Sequence, residues 1–139
     1  MKQGFVKVAS ATPRIRVADP VYNAQVICEQ AKEAAEHGAK IVVFPELCIT
    51  GYTCNDLFLQ ELLLEKAKEA LLTIAEETGQ LETLFLVGLP VDKDGRLYNV
   101  AAVLYRGRIL GMIPKKNIPM YAEFYEGRHF TPGEETVTE

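Results

Sequence analysis

Glu46 stands in FPELCITGYTCNDLF, directly after an apolar run that ends at Phe44. A carboxylate just beyond the carboxyl end of a strand faces the crevice where open α/β sheets bind ligands. A carboxyl partly withdrawn from water can exchange a proton near neutrality, as a general base must. The competing reading is that Glu46 accepts backbone N–H bonds in its own loop. Lys115 follows another strand-like run and could hold a nucleophile as its anion or stabilise an oxyanion. The neighbouring Lys116 gives the pair an equally ordinary use as a solvated strand end. Glu126 could orient Lys115 or an attacking water, or pair with Arg128. Around it, Tyr121, Phe124 and Tyr125 mix with Glu123, Arg128 and His129. Aromatic walls with a few charges suit a small polar ligand, and they equally suit the closing of a core.

The sulfur chemistry is weaker. Cys28 falls on the apolar stripe of a helix and reads as a small buried hydrophobe. Cys48 and Cys54 flank Gly51 without a CxxC pair, and His37 and His129 lack ligand spacing, so a zinc site is not expected. Cys54 has no evident acid or base in its loop to generate a thiolate, which leaves it a weak nucleophile candidate. The sequence contains neither GxGxxG nor GxxxxGK[ST], so no phosphate cradle is expected by motif.

These residues need elements to position them. Phe5–Ala11 reads as a strand broken by Thr12-Pro13, and the run from Asn23 to Gly38 as a helix stopped by the glycine. Ile41–Phe44 is an apolar β-rich run that fits a strand buried on both faces. Leu57–Glu77 is the longest helical pattern. Leu84–Val91, Leu97–Tyr105 and Arg108–Ile113 read as strands, joined by turns at Asp92–Gly95 and Arg106-Gly107. The order β-α-β-α-β-β-β implies a layered α/β unit with a mixed sheet. From Pro114 onward no period is sustained. An irregular stretch of that length in a compact domain serves a site or borders missing structure.

The chain has 139 residues, 48% hydrophobic and 24% charged, with a formal net charge of -4. That suits one domain or part of one, and excludes a collagenous chain. Mild acidity gives no basic footprint for nucleic acid or an anionic membrane. No run reaches the roughly 20 apolar residues of a membrane span, and no secretory leader is read at the N-terminus. Three cysteines with no pairing pattern suit a reducing compartment, so a cytoplasmic protein is expected.

PELCITGYTCNDLF and PKKNIPMYAEFYEGRHF, in that order, closely resemble the amidase region of glutamine-dependent NAD synthetases, within the nitrilase superfamily. The resemblance covers nearly the whole chain. It implies the N-terminal portion of an αββα sandwich with a mixed sheet. It implies Glu46 as general base, Lys115 as the lysine that stabilises thiolate and oxyanion, and Glu126 as a supporting acid. Tyr121 and Phe124 match residues lining the glutamine pocket, while Cys48 stands where a small or apolar residue is usual and is read as structural. The family's nucleophilic cysteine lies well downstream of the lysine, and no cysteine follows Lys115. Residues 1–139 are therefore expected to be an incomplete carbon-nitrogen hydrolase domain, inactive alone, without its cysteine region or a synthetase domain. For the parent the resemblance implies L-glutamine as substrate, ammonia delivered to the synthetase, and ATP, Mg and deamido-NAD bound there, with no cofactor in this chain. The C-terminal remainder and a homo-oligomer are the expected partners. The alternatives are another amidase or nitrilase of the superfamily, and a noncatalytic assembly or binding fragment.

Overall fold

The computed structural model describes residues 3–121, 124 and 126–134, so Glu123 and Tyr125 of the aromatic stretch lie outside the described residues. Five strands form one sheet: β1 (Val8–Ser10), β2 (Ile41–Val43), β3 (Leu84–Lys93), β4 (Arg96–Tyr105) and β5 (Arg108–Pro114), in that spatial order. β1, β2 and β3 are parallel, and β3, β4 and β5 antiparallel. The hairpin turns fall at Asp94-Gly95 and Arg106-Gly107, where all four residues have positive φ. That conformation matches the right-handed twist of the flanking strands.

Two helices provide the parallel crossovers. Helix α1 (Pro20–Glu36) starts three residues before the expected Asn23, because Asp19 caps it by accepting the Tyr22 N–H at 3.1 Å and Pro20 fits the first turn. Asn23 is wholly buried and bonds the backbone of Arg16 and Ile49, which pins the entry loop to the segment after Glu46. The expected helix Leu57–Glu77 is two elements: a 3-10 helix (Asn55–Leu59) and helix α2 (Glu61–Glu77). Gln60 separates them in an extended conformation, φ -87° and ψ 121°, a break that apolar periodicity does not register.

Both helices pack on one face of the sheet. Ala24, Ile27, Ala31, Ala67, Leu71 and Ile74 meet Val42, Phe85, Val87, Leu89, Ala102 and Leu104 in one buried cluster. Each large side chain fully buried there contributes about 1.5–3 kcal/mol. Among the described residues no helix covers the opposite face. β2 is consequently not buried on both faces, since Val42 is buried while Val43 is 45% exposed. Ile113 on β5 is 60% exposed and Val8 64%. A second cluster of Leu47, Cys54, Phe58, Leu63, Leu97 and Phe130 lies beneath the loops at one end of the sheet.

Candidate active site

The backbone after β2 is folded tightly onto β3. Phe44 N–H donates to Leu86 O at 2.9 Å, Gly51 N–H to Leu47 O at 2.7 Å, and Ile49 N–H to Gly88 O at 3.1 Å. A Cβ on Gly88 would lie 2.4 Å from Leu47 N and 2.7 Å from Pro45 O, so only glycine lets the Glu46 loop sit this close. Lys115 follows β5, its N–H bonded to Asn99 O at 2.7 Å and its carbonyl accepting Gly133 N–H at 2.9 Å. Glu126 opens a 3-10 helix (Glu126–Arg128) and its carbonyl accepts from His129 and Phe130. That turn is anchored through Phe58, whose ring meets Phe130 edge-on at 4.9 Å, and through Asp56, which takes Arg128 at 3.2 Å and lies 3.0 Å from His129 Nε2. Arg128 thus pairs with Asp56, not with Glu126. The exposed Asp56 carboxyl is held below its ordinary range by the His129 hydrogen bond and the Arg128 charge.

These three loops converge. Lys115 Nζ lies 2.6 Å from Glu46 Oε1 and 3.0 Å from Glu126 Oε1. The Lys115 and Glu46 side chains are 31% and 41% exposed, whereas that of Glu126 is 2% exposed. Tyr52 O–H donates to Glu126 Oε1 at 2.9 Å. The Asn99 amide donates to Glu46 Oε1 and, at 3.4 Å, to Glu126 Oε2. Burial alone would lower the Lys115 pKa, but hydrogen bonds to Glu46 and Glu126 and their charges outweigh it, and the net shift is upward. Burial and then the bond to Glu126 push the Tyr52 phenol up to about 12. Lys115 is therefore an ammonium at neutral pH, able to hold an anion beside a carboxylate.

Tyr121 and Phe124 stack edge-to-face at 5.6 Å, and Phe124 meets Tyr52 at 6.5 Å, so an aromatic group adjoins Glu126. Glu46, Asn99 and Lys115 stand at the end of an open cleft of about 340 Å3 that runs along the helix-free face past Val43, Leu86 and Ile113. A groove of similar size, about 380 Å3, between α1 and α2 holds Cys28 and the ion pairs Lys32–Glu77 and Lys66–Glu69, without a convergent catalytic set. The cysteines are buried. Burial pushes Cys28 and Cys48 up to about 11 and raises Cys54, whose thiol donates to Thr50 O at 3.2 Å. None is poised as a thiolate. Among the described residues no group of three or more His, Cys, Asp or Glu is placed to hold a metal. No described helix is long and apolar enough to cross a membrane.

Sequence reasoning passed over Asn99, Tyr52, Gly88 and Asp56. Asn99 left one available signal, an amide in the middle of a strand whose neighbours are Tyr98 and Val100.

The carbon-nitrogen hydrolase family model matches residues 7–139. The glutamine-dependent NAD(+) synthetase of Mycobacterium bovis is 40% identical over 133 residues, which is 96% of this chain and 20% of that protein. That of Thermotoga maritima is 36% identical over 99% of the chain and 23% of the protein. This chain therefore spans about a fifth of the length of such relatives. Among solved structures, the glutamine-dependent NAD(+) synthetase of Cytophaga hutchinsonii superposes with a TM-score of 0.90 at 30% identity, over 96% of this chain and 23% of that one. A mutant of the Nesterenkonia AN1 amidase from the nitrilase superfamily gives 0.77 at 25% identity, over 94% of this chain and 49% of that one. The fold is nitrilase-like, one helical layer on one mixed sheet. On the match of residues 7–139, the chain belongs to the carbon-nitrogen hydrolase family.

Proposed function

We propose that this chain supplies the base and the lysine of a glutamine-hydrolysing active site, in a longer protein that uses the released ammonia to convert deamido-NAD to NAD. The observation that carries the reading is the Lys115 ammonium held between Glu46 and Glu126 at the end of a cleft, beside an aromatic group. The nucleophile is a cysteine of the protein's remainder, which covers the open sheet face. Glu46 takes the thiol proton, and sulfur attacks the amide carbon. Lys115 stabilises the oxyanion, and the proton returns to the leaving nitrogen as the C–N bond breaks. Water then hydrolyses the thioester, with Glu46 as base again, giving glutamate. Glu126 holds Lys115 in place, and Tyr121, Phe124 and Tyr52 wall the glutamine site. ATP, Mg and deamido-NAD bind in the synthetase domain of that longer protein. The cytoplasm and a homo-oligomeric parent complete the reading.

The test is glutamate release from L-glutamine by the full-length protein. Glu46→Gln and Lys115→Ala are each expected to lower kcat by about 100-fold or more, while NAD formation from added ammonia persists. Near-normal hydrolysis in both variants would remove them from the reaction. This chain alone is expected to release no glutamate.

A further inference from the structure

Asn99 lies in mid-strand, 3% exposed, its side chain reaching both carboxylates of the site and its backbone holding that of Lys115. Its side-chain amide donates to Glu46 Oε1 and Glu126 Oε2, and its backbone carbonyl accepts the backbone N–H of Lys115. Two carboxylates share one ammonium here, so by formal charge the cluster of Glu46, Glu126 and Lys115 has one more acid than base. Tyr52, on the loop before the 3-10 helix, adds a neutral donor to Glu126 alone. Asn99 is the neutral donor that serves both carboxylates, and with acceptors on both sides only its NH2 group can face them. Both the lysine and the amide bond to the same Glu46 oxygen, Oε1.

We propose that Asn99 is a positioning residue for amide hydrolysis: it fixes the Glu46 carboxylate by Oε1, so that Oε2 is the oxygen that receives the thiol proton. This rests on the function proposed above. A hydrogen bond donated to a carboxylate stabilises its charge, and a neutral amide does so without adding a second cation, which would compete with Lys115 for the oxyanion. Bridging the loop after β2 and the 3-10 helix from one strand residue sets the spacing of base and supporting acid.

The experiment compares Asn99→Leu, Asn99→Asp and Asn99→Gln with Glu46→Gln in the full-length protein, following glutamate release from L-glutamine between pH 5 and 9. Asn99→Leu is expected to lower kcat by about 10- to 100-fold, with KM for glutamine nearly unchanged. It should also move the acid limb of the pH profile upward. Asn99→Asp, with a third carboxylate, should be slower and displaced further, and Asn99→Gln should recover part of the rate lost in Asn99→Leu. A loss that merely follows the folded fraction, with the acid limb where the wild type has it, overturns the proposal. So does wild-type behaviour of Asn99→Leu while Glu46→Gln is inactive, and the functional reading then stands. Wild-type turnover by Glu46→Gln overturns the functional reading itself. If Asn99→Leu does not fold, the position of the acid limb in Asn99→Asp decides in the same two ways.

Discussion

At the scale of single residues, protonation links the site to stability. The raised pKa values of Tyr52 and Lys115 mean that the folded chain keeps protons the unfolded chain has lost. Their contribution is complete below the ordinary tyrosine value of 10.0 and disappears as pH rises through the folded values, about 12 for Tyr52. Urea unfolding is accordingly expected to show falling stability from pH 10 upward. In Tyr52→Phe that decline should be shallower, because the variant has no phenol to titrate. At pH 8 the same variant should be less stable by about 1–3 kcal/mol, since the buried Glu126 carboxylate loses a donor. Residue type and position made Glu46, Lys115 and Glu126 candidates, and the family resemblance gave them roles. Their actual partners could not, because ion pairing depends on distances between segments far apart in the chain. Glu126 pairs with Lys115, while Arg128 pairs with Asp56.

At the scale of elements, the site depends on one strand letting a loop come close. Gly88→Ala is expected to push the Pro45–Leu47 backbone outward, costing about 1–3 kcal/mol of stability. In the full-length protein the glutamine hydrolysis proposed above should fall with it, because Glu46 rides on that loop. Thermal unfolding and glutamate release measure the two effects separately. The start of α1 offers a control away from the chemistry. Asp19→Ala should cost about 0.5–2 kcal/mol through loss of the cap to Tyr22, with glutamine hydrolysis by the folded protein unchanged. The order of elements along the chain and a turn within Asp92–Gly95 could be read from apolar runs and turn chemistry. The break at Gln60 could not, since the leucines on either side keep a helical spacing through a residue that is extended.

At the scale of the whole molecule, the helices cover one face of the sheet, and among the described residues none covers the other. An isolated 139-residue chain with Val43 and Ile113 exposed on that face is expected to self-associate, visible by sedimentation as a concentration-dependent mass. Val43→Lys with Ile113→Lys should reduce it, and equal association with both lysines in place would show that another surface is responsible. The bare face also limits what periodicity can reveal. Ile41–Phe44 reads as a strand buried on both sides, because apolar residues on a face awaiting a partner look the same in sequence as residues already covered. The sequence by itself determined the α/β order and the hairpins, and it offered Glu46, Lys115 and Glu126 as candidates for a site. These follow from local propensity, apolar period and motif. Only the tertiary structure decided that Asn99 and Tyr52 join them, that Gly88 admits the Glu46 loop, and that one sheet face stands open. Each of those is a contact between distant segments, and such contacts are set by the packing of the folded chain and leave no periodic trace along it.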